Sequence, residues 1–341
     1  MAIDLTGGLP VTREYVFAER PGPNVRDAVN IWLEEENGAF AMRIGVEALA
    51  EEWEAHDIWL DLAFPDGRVI SFREHGKTHP AIGPGGKPTI LGAGPLEFEC
   101  VEPFRHWTAK FTRHPVTELT AAQLIADVYP AQPPLRDIAF EIDFRPVVPP
   151  LISGFLNASA EIMSGDQAEF LSPRFEQLCR AEGFLEIDGE RTVFKGQALR
   201  IKRQGVRKFE GFWGHCWQSA LFPSGKGFGV NVFPPRADGK PSLNEGYIFD
   251  GDGALKPARA VQVPWMRKLL TGGEDVPLVL ETADGLVTIQ GTTFSNCRSR
   301  GASVLPASFP VVQQAHARYW WDGEEACGMI ERSTLRDQME M

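Results

Sequence analysis

The chain has 341 residues, 43% hydrophobic and 23% charged, with a formal net charge of −12. That length carries roughly two domains of ordinary size, and the composition is that of a core-forming chain. The acidic balance argues against nucleic acid or an anionic membrane surface as a partner, and the one basic cluster, Arg200, Lys202, Arg203, Arg207 and Lys208, is too short to reverse it.

The first residues, Met-Ala-Ile-Asp-Leu-Thr-Gly-Gly, lack the apolar centre of a signal peptide, and no long uncharged apolar run suggests a membrane span. Five cysteines, Cys100, Cys179, Cys216, Cys297 and Cys327, are odd in number and widely scattered. They read as reduced thiols in a cytoplasmic protein.

Residues Asn24 to Asn37 have helical spacing of Val25, Val29, Ile31 and Trp32, and a helix is expected there. From Phe40 the pattern becomes β. Ile58, Leu60, Leu62 and Phe64 alternate with Asp57, Trp59 and Asp61, then Pro65-Asp66-Gly67 turns the chain into a return strand, Arg68 to Arg73. The stretch His75 to Gly94, rich in Gly and Pro, reads as a long loop. Leu96, Phe98 and Cys100 mark a strand, as do Trp107, Ala109 and Phe111. Thr117 to Asp127 reads as a short helix. Ile138, Phe140, Ile142 and Phe144 make the cleanest alternation, which the Pro146 to Pro150 cluster ends. The domain boundary is expected near there, giving domains 1–172 and 173–341.

The second half opens on a hairpin, Phe175 to Ile187 and Thr192 to Lys202, around Asp188-Gly189. On its first strand Phe175, Gln177, Cys179, Ala181, Gly183, Leu185 and Ile187 share one mostly apolar side. On its second strand Val193, Leu199 and Ile201 mark an apolar side, which continues through Arg203, Gly205 and Arg207. Further strand–turn–strand units follow around Ser224-Gly225, Asp252-Gly253, Asp284-Gly285 and Asp322-Gly323, pairs that suit hairpins because Gly takes positive φ cheaply. Successive hairpins with almost no helix predict an all-β, antiparallel protein of two barrels, since closure removes exposed edges.

No Gly-x-Ser-x-Gly elbow, phosphate-binding loop, Cys-x-x-Cys or His-Glu-x-x-His occurs. No metal site is expected from these spacings. The residues that invite chemistry lie around Gly211-Phe212-Trp213-Gly214-His215-Cys216-Trp217. Trp213, His215 and Trp217 are two apart and share a face if extended. Indoles suit an apolar ligand and stabilise positive charge on it, and histidine exchanges protons near neutral pH. Arg203 and Arg207, if they face the interior or its rim, need a carboxylate or an anionic ligand group. The candidate set is therefore His215, Arg203 and Arg207 as catalytic groups, with Trp213, Trp217, Gln204 and Trp107 lining a ligand site. The same residues also suit a structural role, the indoles as core anchors and the arginines in salt bridges at a barrel end. His316, alternating with Arg318 on the polar side of its strand, is expected to be exposed.

An ordered series of motifs adds to this. Glu182 to Glu190, the basic strand, Trp213-Gly214, Phe222 with Ser224-Gly225, Gly246-Tyr247-Ile248-Phe249-Asp250, Tyr319-Trp320-Trp321-Asp322-Gly323-Glu324 and Gly328-Met329-Ile330-Glu331 resemble the two-domain lipocalin-like proteins related to carotenoid 1,2-hydratase (hydroxyneurosporene synthase) and the AttH-like proteins. The resemblance implies two calycin-like barrels, an apolar ligand in a cavity within or between them, and no metal or cofactor. Many relatives carry an acidic or His-containing cluster just before the Trp-Gly pair. This chain has Arg203-Gln204-Gly205-Val206-Arg207 there and His215 after the pair, so the family's proton donor is not carried over. The expectation is a cofactor-independent enzyme that hydrates, isomerises or cyclises a hydrophobic terpenoid, polyketide or fatty-acyl molecule. A non-catalytic carrier and a protein-binding barrel pair remain the alternatives. The expected partner is a hydrophobic small molecule, and a homodimer is admitted.

Overall fold

The structure is a computed structural model that describes residues 3–153, 170–171, 173–236, 238–298 and 308–340. Its strands are β1 (Val25–Glu35), β2 (Ala41–Leu49), β3 (Ala55–Ala63), β4 (Arg68–Lys77), β5 (Ile90–Ala93), β6 (Leu96–Glu102), β7 (His106–Thr120), β8 (Leu135–Pro146), β9 (Leu151–Ile152), β10 (Arg174–Ile187) and β11 (Glu190–Val206). There follow β12 (Gly214–Leu221), β13 (Gly227–Val232), β14 (Asn244–Phe249), β15 (Lys256–Gln262), β16 (Leu278–Thr282), β17 (Gly285–Arg298), β18 (Val311–Trp321) and β19 (Glu324–Thr334). A short helix, α1 (Ala121–Ala126), lies between β7 and β8. The expected all-β architecture of two antiparallel barrels with few helices is what the chain adopts.

In the first unit the strands run β4-β3-β2-β1-β11-β10-β8-β7, and β4 pairs with β7 to close the ring. Strands β5 and β6 extend from β7, which pairs β6 with one half of its length and β4 with the other. Large apolar side chains fill this barrel, among them Ile31, Leu33, Ile44, Leu60, Phe140 and Phe144. The second unit is a closed barrel of β12 through β19 in sequence order. Its core includes Phe228, Val230, Leu278, Leu280, Ile289 and Ile330.

Three local expectations are corrected. Residues 25–35 form β1, not a helix, because positions on both faces of the strand are buried and both periods therefore look apolar. The stretch expected as a loop after His75 contains the end of β4 and the whole of β5. The helix expected from Thr117 begins only at Ala121, since Thr117 to Thr120 complete the β7 ladder against β4.

The division expected at 172/173 is not where the units part. Residues 173–206 group with the first unit, and Ala121–Val128 with the second. The β10–β11 hairpin supplies two of the first barrel's strands, pairing with β8 on one side and β1 on the other. The proline cluster stops β8, but the ring cannot close until that hairpin arrives.

Candidate functional site

The hairpin's register decides where its basic residues go. Asp188 and Gly189 both have positive φ, 52° and 89°, and form a two-residue turn that pairs Ile187 with Glu190. Counting back from that turn sets Gln177 opposite Arg200 and Phe175 opposite Lys202. Side chains directly opposite share a face. Because Cys179, Ala181 and Leu185 belong to the barrel core, the inward positions of β11 are Ala198, Arg200, Lys202 and Gln204. Arg203 falls on the other face. The expectation that the inward side continues through Arg203 is thus reversed by one residue, and Arg207 lies beyond the end of β11. Leu199 and Ile201 misled because they are buried on the outer face, 2% and 3% exposed.

Inside the first barrel these groups form a polar cluster with the N-terminal segment. Arg200, 0% exposed, donates to Glu14 Oε1 at 2.7 Å and to Gln177 Oε1 at 2.5 Å. The Trp107 indole N–H donates to the same Glu14 carboxylate, and Lys202 pairs with Asp27. Gln204 Nε2 donates to the Tyr15 carbonyl at 2.7 Å and to Asp27 Oδ2 at 3.1 Å. Asp27 Oδ2 also accepts the Phe17 amide at 2.7 Å. Trp107 and Gln204, expected to line a ligand site, both donate hydrogen bonds to the segment 14–17, and Gln204 also to Asp27.

The second barrel carries the more suggestive arrangement, on the outer face of β12, β13, β14, β18 and β19. Cys216 and Ala220 point into the core, so His215, Trp217 and Ser219 point outward. The ladder places Gln314, Glu331, Trp217, Asn231 and Glu245 side by side in one row across five strands. The next row holds Ser295, His316, Met329, Ser219, Gly229 and Tyr247. Outer faces are ordinarily wet, yet His215, Trp217, Asn231, Glu245, His316 and Tyr247 are all buried. His316, expected exposed, is 2% exposed.

His215 is held at both nitrogens. Nδ1 lies 2.6 Å from Ser333 Oγ and Nε2 lies 3.1 Å from Glu331 Oε1. Ser333 Oγ also accepts the His215 backbone N–H at 3.0 Å, and Glu331 Oε2 accepts Gln314 Nε2 at 2.7 Å. Beside this network stands an apolar cluster of Phe170, Leu171, Phe212, Phe233 and Leu243, with Trp213 packed against it. The Phe212 ring is 5.4 Å from the His215 ring and stacks on Phe170 at 3.6 Å. Trp213 donates its indole N–H to the Pro234 carbonyl at 3.0 Å. Arg207 donates to the Phe170 carbonyl at 3.0 Å, with its guanidinium 4.7 Å from the Phe170 and Phe209 rings.

Among the described residues the buried Ser219 Oγ, Asn231 Oδ1 and Ser295 Oγ on this face have no hydrogen-bond partner. Buried polar atoms are nearly always paired, so three unmet atoms on one face are unusual. The residues expected to act together fall in different units. His215, Trp217, Trp213 and Arg207 lie in the second unit, whereas Trp107, Arg203 and Gln204 lie in the first. Sequence reasoning missed Glu331, Ser333, Asn231, Glu245 and His316. Only Glu331 carried a signal, as the last residue of the Gly328-Met329-Ile330-Glu331 motif.

The fold and this face define a two-barrel, lipocalin-like protein. The chain belongs to the family described as a domain of unknown function, DUF7064, whose model matches residues 21–336. Comparison with curated proteins finds no match. The fold is similar to that of a putative AttH, NE1406, from Nitrosomonas europaea, with 13% identity, 92% of this chain and 93% of that chain covered, and a TM-score of 0.57. It is also similar to CghA with Sch210972, with 12% identity, coverage of 92% and 89%, and a TM-score of 0.54. A third likeness is to kievitone hydratase from Nectria haematococca, with 10% identity, coverage of 97% and 96%, and a TM-score of 0.52. The expected resemblance to the carotenoid 1,2-hydratase and AttH-like two-barrel proteins thus holds as a likeness of fold.

Proposed function

We propose that this protein is a cofactor-independent enzyme that hydrates, isomerises or cyclises a hydrophobic small molecule of terpenoid, polyketide or fatty-acyl type on the outer face of the second barrel. The observation that carries this is His215, buried between Glu331 and Ser333, on the same face as orphaned Asn231 in the next row and orphaned Ser219 and Ser295 in the row beyond it. The names of two neighbours by fold, a hydratase and a protein solved with Sch210972, are in keeping with small-molecule chemistry.

The residues suit proton transfer. Glu331 would hold the Nε2–H and balance the charge of an imidazolium, leaving Nδ1 to pass a proton directly or through the Ser333 hydroxyl. In a hydration, that proton goes to one alkene carbon. The neighbouring carbon becomes a cation beside the Trp217 indole. Water adds there and returns a proton to His215, so the net change is one water gained. Isomerisation uses the same delivery followed by proton loss from the adjacent carbon.

A second reading, a carrier without turnover, is favoured by one specific feature: both ring nitrogens of His215 already have protein partners. Native mass spectrometry of the purified protein against a panel of terpenoid, polyketide and fatty-acyl alkenes, with product analysis of the same mixtures, separates the two. Turnover by the wild type, lost in His215→Ala with binding retained, is the enzyme's result. Binding with no product from any member of the panel, in wild type and variant alike, is the carrier's and overturns the proposal.

We place the protein in a reducing compartment, the cytoplasm. Burial pushes the Cys100, Cys179 and Cys216 thiols up to about 12, which leaves them neutral and unreactive there. Homodimerisation is a separate expectation that light scattering checks.

A further inference from the structure

The turn between β1 and β2 carries the one Asn-Gly pair of the sequence, Asn37-Gly38. In such a pair no Cβ shields the backbone nitrogen that follows the asparagine, so that nitrogen can attack the side-chain amide carbon before it. The turn cannot shed its glycine, because Gly38 has a φ of 74°, where other residues are strained. Asn37 is exposed, so water and hydroxide reach it. Hydroxide removes the Gly38 N–H proton, the nitrogen forms a bond to Asn37 Cγ, and Nδ2 leaves as ammonia. Water then opens the cyclic imide at either carbonyl, leaving an aspartate or an isoaspartate at position 37. The net change is one water gained and one ammonia lost.

One side chain stands in the way of that reaction. Glu35, 8% exposed, folds its carboxylate over the turn. Oε2 accepts the Asn37 and Ala39 backbone N–H groups, both at 2.9 Å, and Oε1 accepts Asn37 Nδ2 at 3.1 Å. The Glu35 carbonyl accepts the Gly38 N–H at 2.9 Å, and the Glu35 N–H donates to the Phe40 carbonyl at 3.1 Å. Both partners in the new bond are therefore tied down, the attacking nitrogen by its proton and the departing amide by Nδ2. Hydrogen bonds to an ionised acceptor are the stronger kind. The carboxylate also disfavours a second negative charge beside it, and the attacking nitrogen must become an anion. These side-chain contacts come from Glu35 and not from the exposed Glu36 beside it.

We propose that Asn37 is a modification site, where the Glu35 carboxylate holds back conversion to aspartate or isoaspartate, and where that conversion, once made, unlatches the β1–β2 turn. The product puts an oxygen anion where Nδ2 donated to Glu35. The two carboxylates then repel each other, in a stretch that already carries Glu34, Glu35 and Glu36. An isoaspartate also lengthens the backbone by one carbon, which shifts the Ala39 N–H off Oε2. Just past the turn, Phe40 packs on Phe194 with ring centroids 5.0 Å apart, so the change reaches side chains of the first barrel's core. The site does not rest on the reading of the His215 face.

The test is incubation of the whole protein in mildly alkaline buffer, with conversion at Asn37 followed by peptide mapping and mass spectrometry. A synthetic peptide of residues 33–42 gives the rate without the fold. The wild type is expected to react about tenfold or more slowly than the peptide, a comparison that needs no variant to fold. Glu35→Gln keeps the shape and removes the charge, and is expected to react at least about fivefold faster than the wild type. Glu36→Gln removes the same charge from the neighbouring residue and is expected to stay within about twofold of the wild type. Asn37→Asp carries the product's charge from the start and is expected to raise hydrogen exchange at the Ala39 amide about tenfold. A wild type as fast as the peptide, Glu35→Gln no faster than the wild type, Glu36→Gln as fast as Glu35→Gln, or unchanged Ala39 exchange in Asn37→Asp would each overturn the proposal.

Discussion

His215 shows how strand geometry brings distant residues to one ring. Its partners come from β19, more than a hundred residues away, delivered by the pairing of His215 with Ser333 and of Trp217 with Glu331. That His215 and Trp217 share a face was legible in the sequence, because strand side chains alternate. Their partners were not, because which strand closes the barrel against β12 is a property of the ring. The burial of His316 was equally hidden, since a polar outer position looks wet until something covers it. For this face, His215→Ala is expected to lower turnover by about 10²–10⁴-fold, the usual worth of a general acid or base. Glu331→Gln, measured in the same assay, is expected to lower kcat more than it alters KM, because it removes charge while keeping shape. A further substitution probes the packing beneath. A Cβ on Gly229 would lie 2.5 Å from Tyr247 Cε1, so Gly229→Ala must push that ring aside. Urea unfolding is expected to show a loss of about 1–3 kcal/mol.

At the scale of elements, the β10–β11 hairpin was recognised in the sequence, turn and all, and its inward basic residues could have been read from it. Counting from Asp188-Gly189 pairs the apolar side of β10 with Arg200 and Lys202. The visible run of Val193, Leu199 and Ile201 obscured this, and Val193 is in fact 79% exposed. The buried cations have an evident structural use, since Asp27, Gln204 and Glu14 fasten the segment 14–17 to the barrel. Asp27→Asn leaves Lys202, 1% exposed, without its countercharge. A stability loss of about 3–5 kcal/mol in urea is expected, with faster hydrogen exchange at the Phe17 amide.

Another pair links elements in a pH-dependent way. His79 Nδ1 lies 2.8 Å from Glu97 Oε2. That hydrogen bond raises His79 above its usual 6.5 and lowers Glu97 below its usual 4.5. The histidine's contribution is fully present below 6.5 and fades as pH rises through its raised value. The glutamate's is present above 4.5 and fades as pH falls through its lowered value. The Tm difference between wild type and His79→Gln is therefore expected to be largest between those two usual values and to shrink toward alkaline pH.

For the whole molecule, composition and the run of glycine turns were enough to predict two antiparallel barrels, because hairpins without helices have few other ways to hide their edges. The boundary was not legible. A proline cluster looks like a linker, but the first ring draws two of its strands, β10 and β11, from beyond it. A fragment of residues 1–172 lacks those strands and is expected to show no cooperative unfolding by circular dichroism. A fragment of residues 1–206 contains every strand of the first barrel and is expected to unfold cooperatively.

The central claim is that the outer face around His215 is where an apolar molecule is received and protonated. Long-range 1H–15N correlation of the His215 ring nitrogens, recorded with and without a saturating ligand from the native mass spectrometry panel, tests it most directly. The account predicts that both nitrogen shifts move as the ligand saturates. Unmoved His215 nitrogens in a fully liganded protein would contradict it.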